Sequence, residues 1–474
     1  MKKLRILFLL IFGMVAALAS FAEQKEPPLP KDLPPYGPTV PFHAPQVEVK
    51  KLSNGMTLWL VPRPGFPKVA LALAVRGGMA SDPAGLPGVS DLLMATLDQG
   101  TKTRSAKQIA EDIQAAGGDL SGGARADILM VTTSVLAEDT GKTLSLLADI
   151  PQNATFPDDE VALAKRNAAD DLRGNEADPG FLANRLLARE VFGSHPYGVI
   201  SPTQESISKT QAEELRKIYA KRFRPDQTLL VAVGDFQAAA LTEDIEKAFG
   251  KWQAPQESSV AAVAKPSEQN PHAVFMIDRP HSVQTTFAIA AFGPVRRDPD
   301  YAASEVANAI YGGMFGSRLI KNIREDKGYT YSPYAYIQTR SEAGVFQTHA
   351  DVRNPVTGAT LNEIDYELNR MATTAPAEDE VQRARRYLVG LQAIRLQSQA
   401  SVAGQLATLW SYGLPPEELG LESQRIQKVT AEEVEAAGKK YFPASHQTIV
   451  AVGEQKVIEE QLAPFGLAIH KVSQ

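Results

Sequence analysis

The chain has 474 residues, a formal net charge of −6 at pH 7 and no cysteine. This length exceeds the size at which a single hydrophobic core stops growing, so two or more domains are expected. The absence of cysteine excludes a disulfide framework, a thiol nucleophile, a thiolate zinc site and a lipid-modified cysteine. The acidic charge balance disfavours nucleic acid as a partner.

Residues 1–22 have the pattern of a secretory signal peptide. A basic start is followed by an apolar run from Ile6 to Leu18 and by the small residues Ser20 and Ala22. The pattern predicts cleavage after Ala22 and a periplasmic mature protein without a stable membrane span. An uncleaved membrane anchor is the alternative, although the apolar run is short for a span and no basic flank follows it.

Residues 23–45 form a proline-rich arm. Eight prolines in this segment favour polyproline II and exclude a helix or a central strand. Two interpretations stay open for the arm: a flexible spacer, or a strap that lies on a partner.

From residue 46 onward, the hydrophobic patterns predict an α+β fold. Alternating runs on both sides of Asn54 and Gly55 are typical of a β-hairpin. Further strands are predicted at 68–78, 127–138 and 227–236, and amphipathic helices at 105–116, 142–150, 158–173 and 211–222. We expect α/β layers made of mainly antiparallel sheets, with helices packed on one face.

An internal repeat indicates a duplication. The segment that starts at Lys209 matches the segment that starts at Lys428 without a gap, and both contain an Ala-Glu-Glu triplet and the run Val-Ala-Val-Gly. The corresponding residues Glu214 and Glu433 are 219 positions apart. The repeat predicts an N-terminal domain at 46–250, a linker at 251–271 and a C-terminal domain at 272–470.

The stretch 85–101 reads GLPGVSDLLMATLDQGT and predicts a helix framed by glycines. Apolar side chains recur along one face of it at helical spacing, which is typical of a core helix. Ser90 or Asp91 is expected to cap its N-terminus.

This framed helix resembles the zinc helix of the insulinase/pitrilysin peptidases, or inverzincins, which are duplicated proteins of the LuxS/processing-peptidase-like fold. In active members the helix carries H-x-x-E-H, whose two histidines hold zinc while the glutamate polarises the bound water. Here the two histidine positions are Asp91 and Ala95, the glutamate position is Met94, and the third ligand position falls near Asp171. The resemblance therefore implies a degenerate site and no cofactor bound by this chain.

The second half keeps a different part of the family pattern. Residues 317–327 have helical periodicity, Gly328 is placed to end that helix, and an alternating strand pattern follows. In active relatives an arginine and a tyrosine seven residues apart bind the substrate carbonyl, and Arg324 and Tyr331 match this pair. From the residues alone, Arg324 could instead pair with a neighbouring carboxylate, and Tyr331 could be a half-buried strand residue.

Two further segments resemble the family, and the sequence leaves their roles open. His195, in FGSHPYG, is either a turn histidine fixed by its proline and glycine neighbours or a residue associated with a metal. The turn YGGMFGS is either a tight packing turn or a loop that lies over a peptide.

The resemblance implies a subunit that is inactive by itself. In bacterial members split between two polypeptides, one chain supplies zinc and the other supplies the Arg/Tyr pair. We expect this chain to form a heterodimer with a homologous zinc-bearing chain, with an extended peptide as substrate. Two alternatives are a non-enzymatic assembly or binding protein of the same fold, and an independent zinc metalloendopeptidase.

Overall fold

The computed structural model describes residues 43–256, 262–268 and 271–473. The predicted signal peptide, almost all of the proline-rich arm and parts of the predicted linker lie outside the described residues, and stay predictions. Within the described ranges, no helix has both the length and the hydropathy that a membrane crossing requires.

Two six-stranded sheets form the centres of the two halves. The strands are β1 (Glu48–Lys51), β2 (Thr57–Pro62), β3 (Lys68–Arg76), β4 (Asp119–Ala124), β5 (Ile128–Leu136), β6 (Thr228–Gly234), β7 (Val274–Asp278), β8 (Gln284–Gly293), β9 (Tyr334–Thr339), β10 (Gly344–Arg353), β11 (Thr448–Gly453) and β12 (Ile469–Lys471). The first sheet has the order β1-β2-β6-β3-β5-β4 and the second β12-β7-β11-β8-β10-β9. Most neighbouring strands run antiparallel, as predicted; β2–β6, β7–β11 and β7–β12 are parallel.

Helices pack against each sheet. In the first half they are α1 (Val89–Thr96), α2 (Ala106–Ala115), α3 (Thr140–Asn153), α4 (Asp158–Glu176), α5 (Pro179–Phe192), α6 (Gln204–Lys209), α7 (Ala212–Arg222) and α8 (Ala238–Phe249). In the second half they are α9 (Tyr301–Asn308), α10 (Thr357–Thr373), α11 (Glu378–Arg395), α12 (Gln399–Ser411), α13 (Glu418–Lys428), α14 (Ala431–Tyr441) and α15 (Gln455–Leu462), with a π-helix at Ile320–Asp326. Each half buries one large apolar core between its helices and one face of its sheet.

The two halves repeat the same order of elements at a nearly constant spacing. Helices α7 and α14 begin at Ala212 and Ala431 and end at Arg222 and Tyr441. Both ends therefore differ by the 219 positions that separate the matching sequence segments. The structure thus confirms two duplicated α/β layers.

The opposite face of each sheet is covered by a helix of the other half. Helix α5, from the first half, packs on β8 and β11 of the second sheet, where its Leu182 and Leu186 are buried. Helix α12, from the second half, packs on β3 and β6 of the first sheet, where its Leu406 is fully buried. The helices predicted on one face of each sheet are present. The residue pattern did not predict that α5 and α12, called here the exchanged helices, cover the opposite faces.

A partly buried carboxylate also joins the two halves. Asp127 accepts a hydrogen bond of 2.7 Å from the Tyr197 hydroxyl and one of 2.8 Å from the backbone N–H of Ser341. Because Ser341 belongs to the second half, Asp127 fixes the turn before β10 against the first sheet.

The structure contains each element that the sequence pattern predicted. The hairpin between β1 and β2 turns through Gly55, whose φ of 93° lies in the left-handed region that favours glycine. The helices predicted in the first half correspond to α2, α3, α4 and α7, with ends within three residues of those expected. The exchanged helices α5 and α12 were not among the predicted elements, although leucines recur in both at helical spacing.

Candidate functional site

Helix α1 is the helix that, by its sequence, resembles the family's zinc helix. It begins directly after Gly88, which has a φ of 74°. A Cβ atom at Gly88 would lie 2.3 Å from the backbone nitrogen of Pro202, so the position has no room for a side chain. Glycine is therefore required here by packing, whatever chemistry the helix carries.

A buried ion pair holds the start of α1. The Ser90 hydroxyl donates to Asp82 at 2.5 Å, and the Ser90 backbone N–H donates to the same carboxylate at 3.3 Å. Arg222 pairs with Asp82 at 2.9 Å, and both side chains are only 3% exposed. The expectation that Ser90 or Asp91 caps the helix is wrong: Gly88 is the cap residue, and Asp82 supplies the acceptor.

The three motif positions on α1 differ in their environments. Asp91 is partly buried, and burial together with the nearby Asp82 carboxylate raises its pKa to about 6. Met94 is 4% exposed, and its methyl group lies against Gly122 of strand β4. Ala95 is exposed to solvent.

These residues do not fit a zinc ion. A catalytic zinc site needs three protein ligands of imidazole, carboxylate or thiolate type. Asp91 offers one carboxylate, Ala95 offers no ligand atom, and the Met94 side chain is packed against β4. Asp171 is an exposed residue of α4, the helix that packs on α1. In the part of the chain that the structure describes, no three acidic or histidine side chains cluster in a way that could hold a metal.

His195 lies in a turn. Its Nδ1 accepts a hydrogen bond from the Tyr197 N–H at 3.2 Å, and its Nε2 lies 2.9 Å from the carbonyl oxygen of Ala264. Both ring nitrogens are therefore used, and the contact with Ala264 ties the segment between the halves to the first half. This geometry favours the turn interpretation of His195.

The π-helix of the second half ends as the sequence predicts. Gly328 has a φ of 64°, and its N–H bonds to the carbonyl of Arg324 at 3.1 Å. The next N–H, from Tyr329, bonds to the carbonyl of Ile323 at 2.8 Å. The chain then turns sharply, and this turn brings Tyr331 back toward Arg324.

Arg324 and Tyr331 are in direct contact. The guanidinium carbon of Arg324 lies 4.8 Å from the centroid of the Tyr331 ring and 4.9 Å from that of Phe315. Tyr331 is 79% exposed and Phe315 is 65% exposed. The structure therefore brings together the predicted pair and adds Phe315, whose only sequence signal is an aromatic residue within the turn YGGMFGS.

The structural alternatives for this pair do not match the geometry. Across the described residues, Arg324 forms no ion pair with Glu325, Asp326 or any other carboxylate. Tyr331 is not a half-buried strand residue, because strand β9 begins three residues later, at Tyr334. Arg324 is thus a half-buried cation without a carboxylate partner in the described ranges, and Tyr331 is exposed beside it.

Polar contacts anchor the back of the π-helix. Arg318 forms two hydrogen bonds to Glu380 of α11, at 2.8 and 2.7 Å. Asn322 donates to Glu363 and Glu367 of α10, at 3.0 and 2.9 Å. Lys327 pairs with Glu363 at 2.7 Å. A helix of this wide type often marks a functional site, and here its position is fixed by neighbouring helices.

Comparison with protein-family models identifies two segments. Residues 60–199 match the insulinase (peptidase family M16) model, and residues 209–388 match the model for the peptidase M16 inactive domain. Together the two matches span about two-thirds of the chain.

Relatives and solved structures agree with these matches. An uncharacterized zinc protease of Rickettsia bellii is 24% identical over 409 residues, which is 85% of this chain and 96% of the relative. An uncharacterized zinc protease of Bacillus subtilis is 26% identical over 294 residues, 62% of this chain and 70% of the relative.

Two solved structures share the fold. A peptidase M16 inactive domain from Pseudomonas fluorescens has a TM-score of 0.81 and 27% identity, covering 86% of this chain and 98% of its own. A protease from Helicobacter pylori, 16% identical, has a TM-score of 0.80 and covers 87% of this chain and 100% of its own. The chain belongs to the insulinase family of peptidases, peptidase family M16.

Proposed function

We propose that this protein is a zinc-free peptidase subunit that acts in the periplasm with a homologous partner chain. The partner carries H-x-x-E-H and its zinc ion; this chain closes the chamber and binds an extended peptide. The observation that supports this most is the contact between Tyr331 and a half-buried Arg324 that has no carboxylate partner among the described residues, while Asp91 and Ala95 cannot complete a zinc site. The protein thus keeps groups that bind substrate and lacks those that activate water.

The chemistry of the pair suits a peptide carbonyl. A guanidinium and a phenol can both donate hydrogen bonds to a carbonyl oxygen, and they stabilise it more strongly as negative charge develops on it. The contact of Arg324 with aromatic rings uses the faces of its guanidinium, which leaves the in-plane N–H donors available. An extended peptide paired by its backbone to a sheet edge would present such carbonyls with little dependence on sequence.

Metal analysis and reconstitution test the proposal. The purified chain alone is expected to hold no stoichiometric zinc and to cleave no unfolded casein, while mixing with the partner restores cleavage. Arg324→Ala and Tyr331→Phe should each lower kcat of the complex by about 100-fold, the usual effect of removing an oxyanion donor.

The control is Tyr387→Phe, which removes the hydroxyl of another exposed tyrosine in the same half. It should leave the rate unchanged. Stoichiometric zinc and turnover by the isolated chain would show an independent peptidase instead. If Arg324→Ala and Tyr331→Phe both formed the complex with full activity, the pair would have no part in catalysis, and the result would favour a role for this chain in assembly.

A further inference from the structure

The glycine-rich turn before the π-helix carries an exposed aromatic side chain between two buried anchors. Met314 is 9% exposed and Ser317 is fully buried, and a hydrogen bond of 3.0 Å from the Ser317 N–H to the Met314 carbonyl closes the turn. Phe315 projects from this turn with 65% of its surface exposed. The turn is fixed while its apolar tip faces solvent.

Exposed apolar rings cluster at this place. Phe315 and Tyr331 are among the most exposed large hydrophobic residues of the described chain, and both contact the same guanidinium. An aromatic ring left in water forgoes a large hydrophobic stabilisation. Apolar groups that are exposed together, rather than singly, indicate a surface that binds something.

Phe315 also restricts Arg324. The backbone of Arg324 is held by the anchored π-helix, but its long side chain has several rotatable bonds, and its guanidinium lies against the two rings. Each ring contact reduces the number of orientations that the guanidinium can adopt. Because the side chain is already partly ordered, it loses less conformational entropy when substrate binds.

We propose that Phe315 is the third residue of the Arg324–Tyr331 site. Its ring positions the Arg324 guanidinium, and its exposed face forms a wall of an apolar subsite for the peptide side chain beside the bound carbonyl. The substrate class is therefore a peptide with a large apolar residue, such as leucine, methionine or phenylalanine, next to the cleaved bond. This inference rests on the proposed function.

The positioning role is tested on the isolated chain. The Nε–Hε resonance of Arg324, assigned by its loss in Arg324→Lys, should be shifted by the ring currents of its aromatic neighbours. Phe315→Leu and Phe315→Ala should each move this resonance toward the position of a free arginine, whereas Phe66→Ala should not. Phe66 is a matched control because it is 60% exposed and belongs to the first half. An unchanged resonance in both Phe315 variants would overturn the positioning role.

The subsite is tested on the complex with its zinc-bearing partner. A tryptic digest of serum albumin serves as the peptide mixture, and mass spectrometry identifies the cleaved bonds. The wild-type complex and the Phe66→Ala complex should prefer a large apolar residue beside the bond. Phe315→Ala should reduce that preference about tenfold, chiefly through KM, as expected for loss of an apolar contact.

Leucine separates the two roles of Phe315. Phe315→Leu keeps an apolar wall but loses the ring, so it should retain the preference and lower kcat. A Phe315→Ala complex with the wild-type preference would overturn the subsite. Failure of the underlying function looks different, because Arg324→Ala would then leave cleavage by the complex unaffected.

Discussion

Asp91 is a partly buried carboxyl group that has no ion-pair partner among the described residues. It lies on α1 near Asp82, and Arg222 pairs with Asp82 rather than with Asp91. Burial, followed by repulsion from Asp82, raises the pKa of Asp91 to about 6. The folded chain therefore favours the protonated carboxyl, and ionisation of Asp91 at neutral pH opposes folding.

Replacing Asp91 by asparagine should stabilise the protein at neutral pH. Because the pKa is higher in the folded state, the folded chain binds more protons between about pH 4 and pH 6, and this carboxyl lowers stability as pH rises through that range. Above the folded pKa the full penalty applies, about 1–3 kcal/mol for a shift of this size. Urea unfolding of Asp91→Asn and wild type should show that gain at pH 7.5 and a smaller one at pH 4.5.

Asp171→Asn is the matched control for this measurement, since Asp171 is exposed at another degenerate ligand position. It should change the free energy of unfolding by less than about 0.5 kcal/mol at both pH values. An Asp91→Asn variant that is less stable than wild type at pH 7.5 would show that the charge has a favourable partner.

Among the elements, α1 is held by contacts that do not depend on a metal ion. Gly88 has to be glycine because of its φ of 74° and its contact with Pro202. Asp82, Ser90 and Arg222 fix the same end of the helix by buried hydrogen bonds. None of these contacts requires zinc, so they hold the helix in place with Met94 and Ala95 at the two positions where the resemblance expects catalytic side chains.

Gly88→Ala should therefore be strongly destabilising. Its methyl group would lie 2.3 Å from a backbone atom, and the backbone conformation is unfavourable for alanine. We expect a loss of about 2–4 kcal/mol in the free energy of unfolding, measured by urea denaturation.

Gly85→Ala provides the comparison within the same turn. Apart from the adjacent residues, no atom of the described chain lies within 4 Å of a Cβ placed at Gly85, so this variant should be within about 0.5 kcal/mol of wild type. Equal stability of the two variants would contradict the packing assigned to Gly88.

For the whole molecule, the exchanged helices make the two halves one folding unit. The outer face of the first sheet presents Trp59, Val61 and Val231, which α12 covers with Leu406 and Trp410. Without the second half, this apolar face would meet water. Burying one leucine side chain stabilises a protein by about 1.5–3 kcal/mol. Exposing all the side chains in this contact would therefore cost more than the free energy of unfolding of a typical domain.

Neither half should fold as a soluble monomer when expressed alone. Residues 43–250 and 271–474 should each aggregate or give a poorly dispersed amide spectrum, and co-expression should recover an associated, folded pair. Size-exclusion chromatography and amide spectra measure this outcome.

The control for co-expression is a full-length chain with a protease site inserted in the predicted linker, which is cleaved after the chain has folded. It should stay associated and unfold in one transition, because the exchanged helices hold the halves together without the covalent link. A monomeric first half with a well-dispersed spectrum would contradict the role assigned to α12.

Much of the candidate site is readable from the residues. Several features of the site are local, because residue type and short-range backbone preferences set them. They are the missing H-x-x-E-H pattern, the flanking glycines, the spacing of Arg324 and Tyr331, and the end of the helix at Gly328. Phe315 was not identified, since an aromatic residue in a glycine-rich turn is as consistent with packing as with binding. Its exposure and its contact with Arg324 exist only in the folded chain.

The sequence by itself determined that the chain is duplicated, that its layers combine antiparallel strands with amphipathic helices, and that its first half has no H-x-x-E-H pattern. Periodicity and a fixed repeat spacing carry that information along the chain. The tertiary structure alone decided that α5 and α12 cross to the opposite sheet, that Asp82 rather than Ser90 or Asp91 supplies the acceptor at the start of α1, and that Arg324 contacts two exposed rings. These depend on contacts between residues far apart in sequence, and the periodicity of one segment cannot specify which distant surface will cover it.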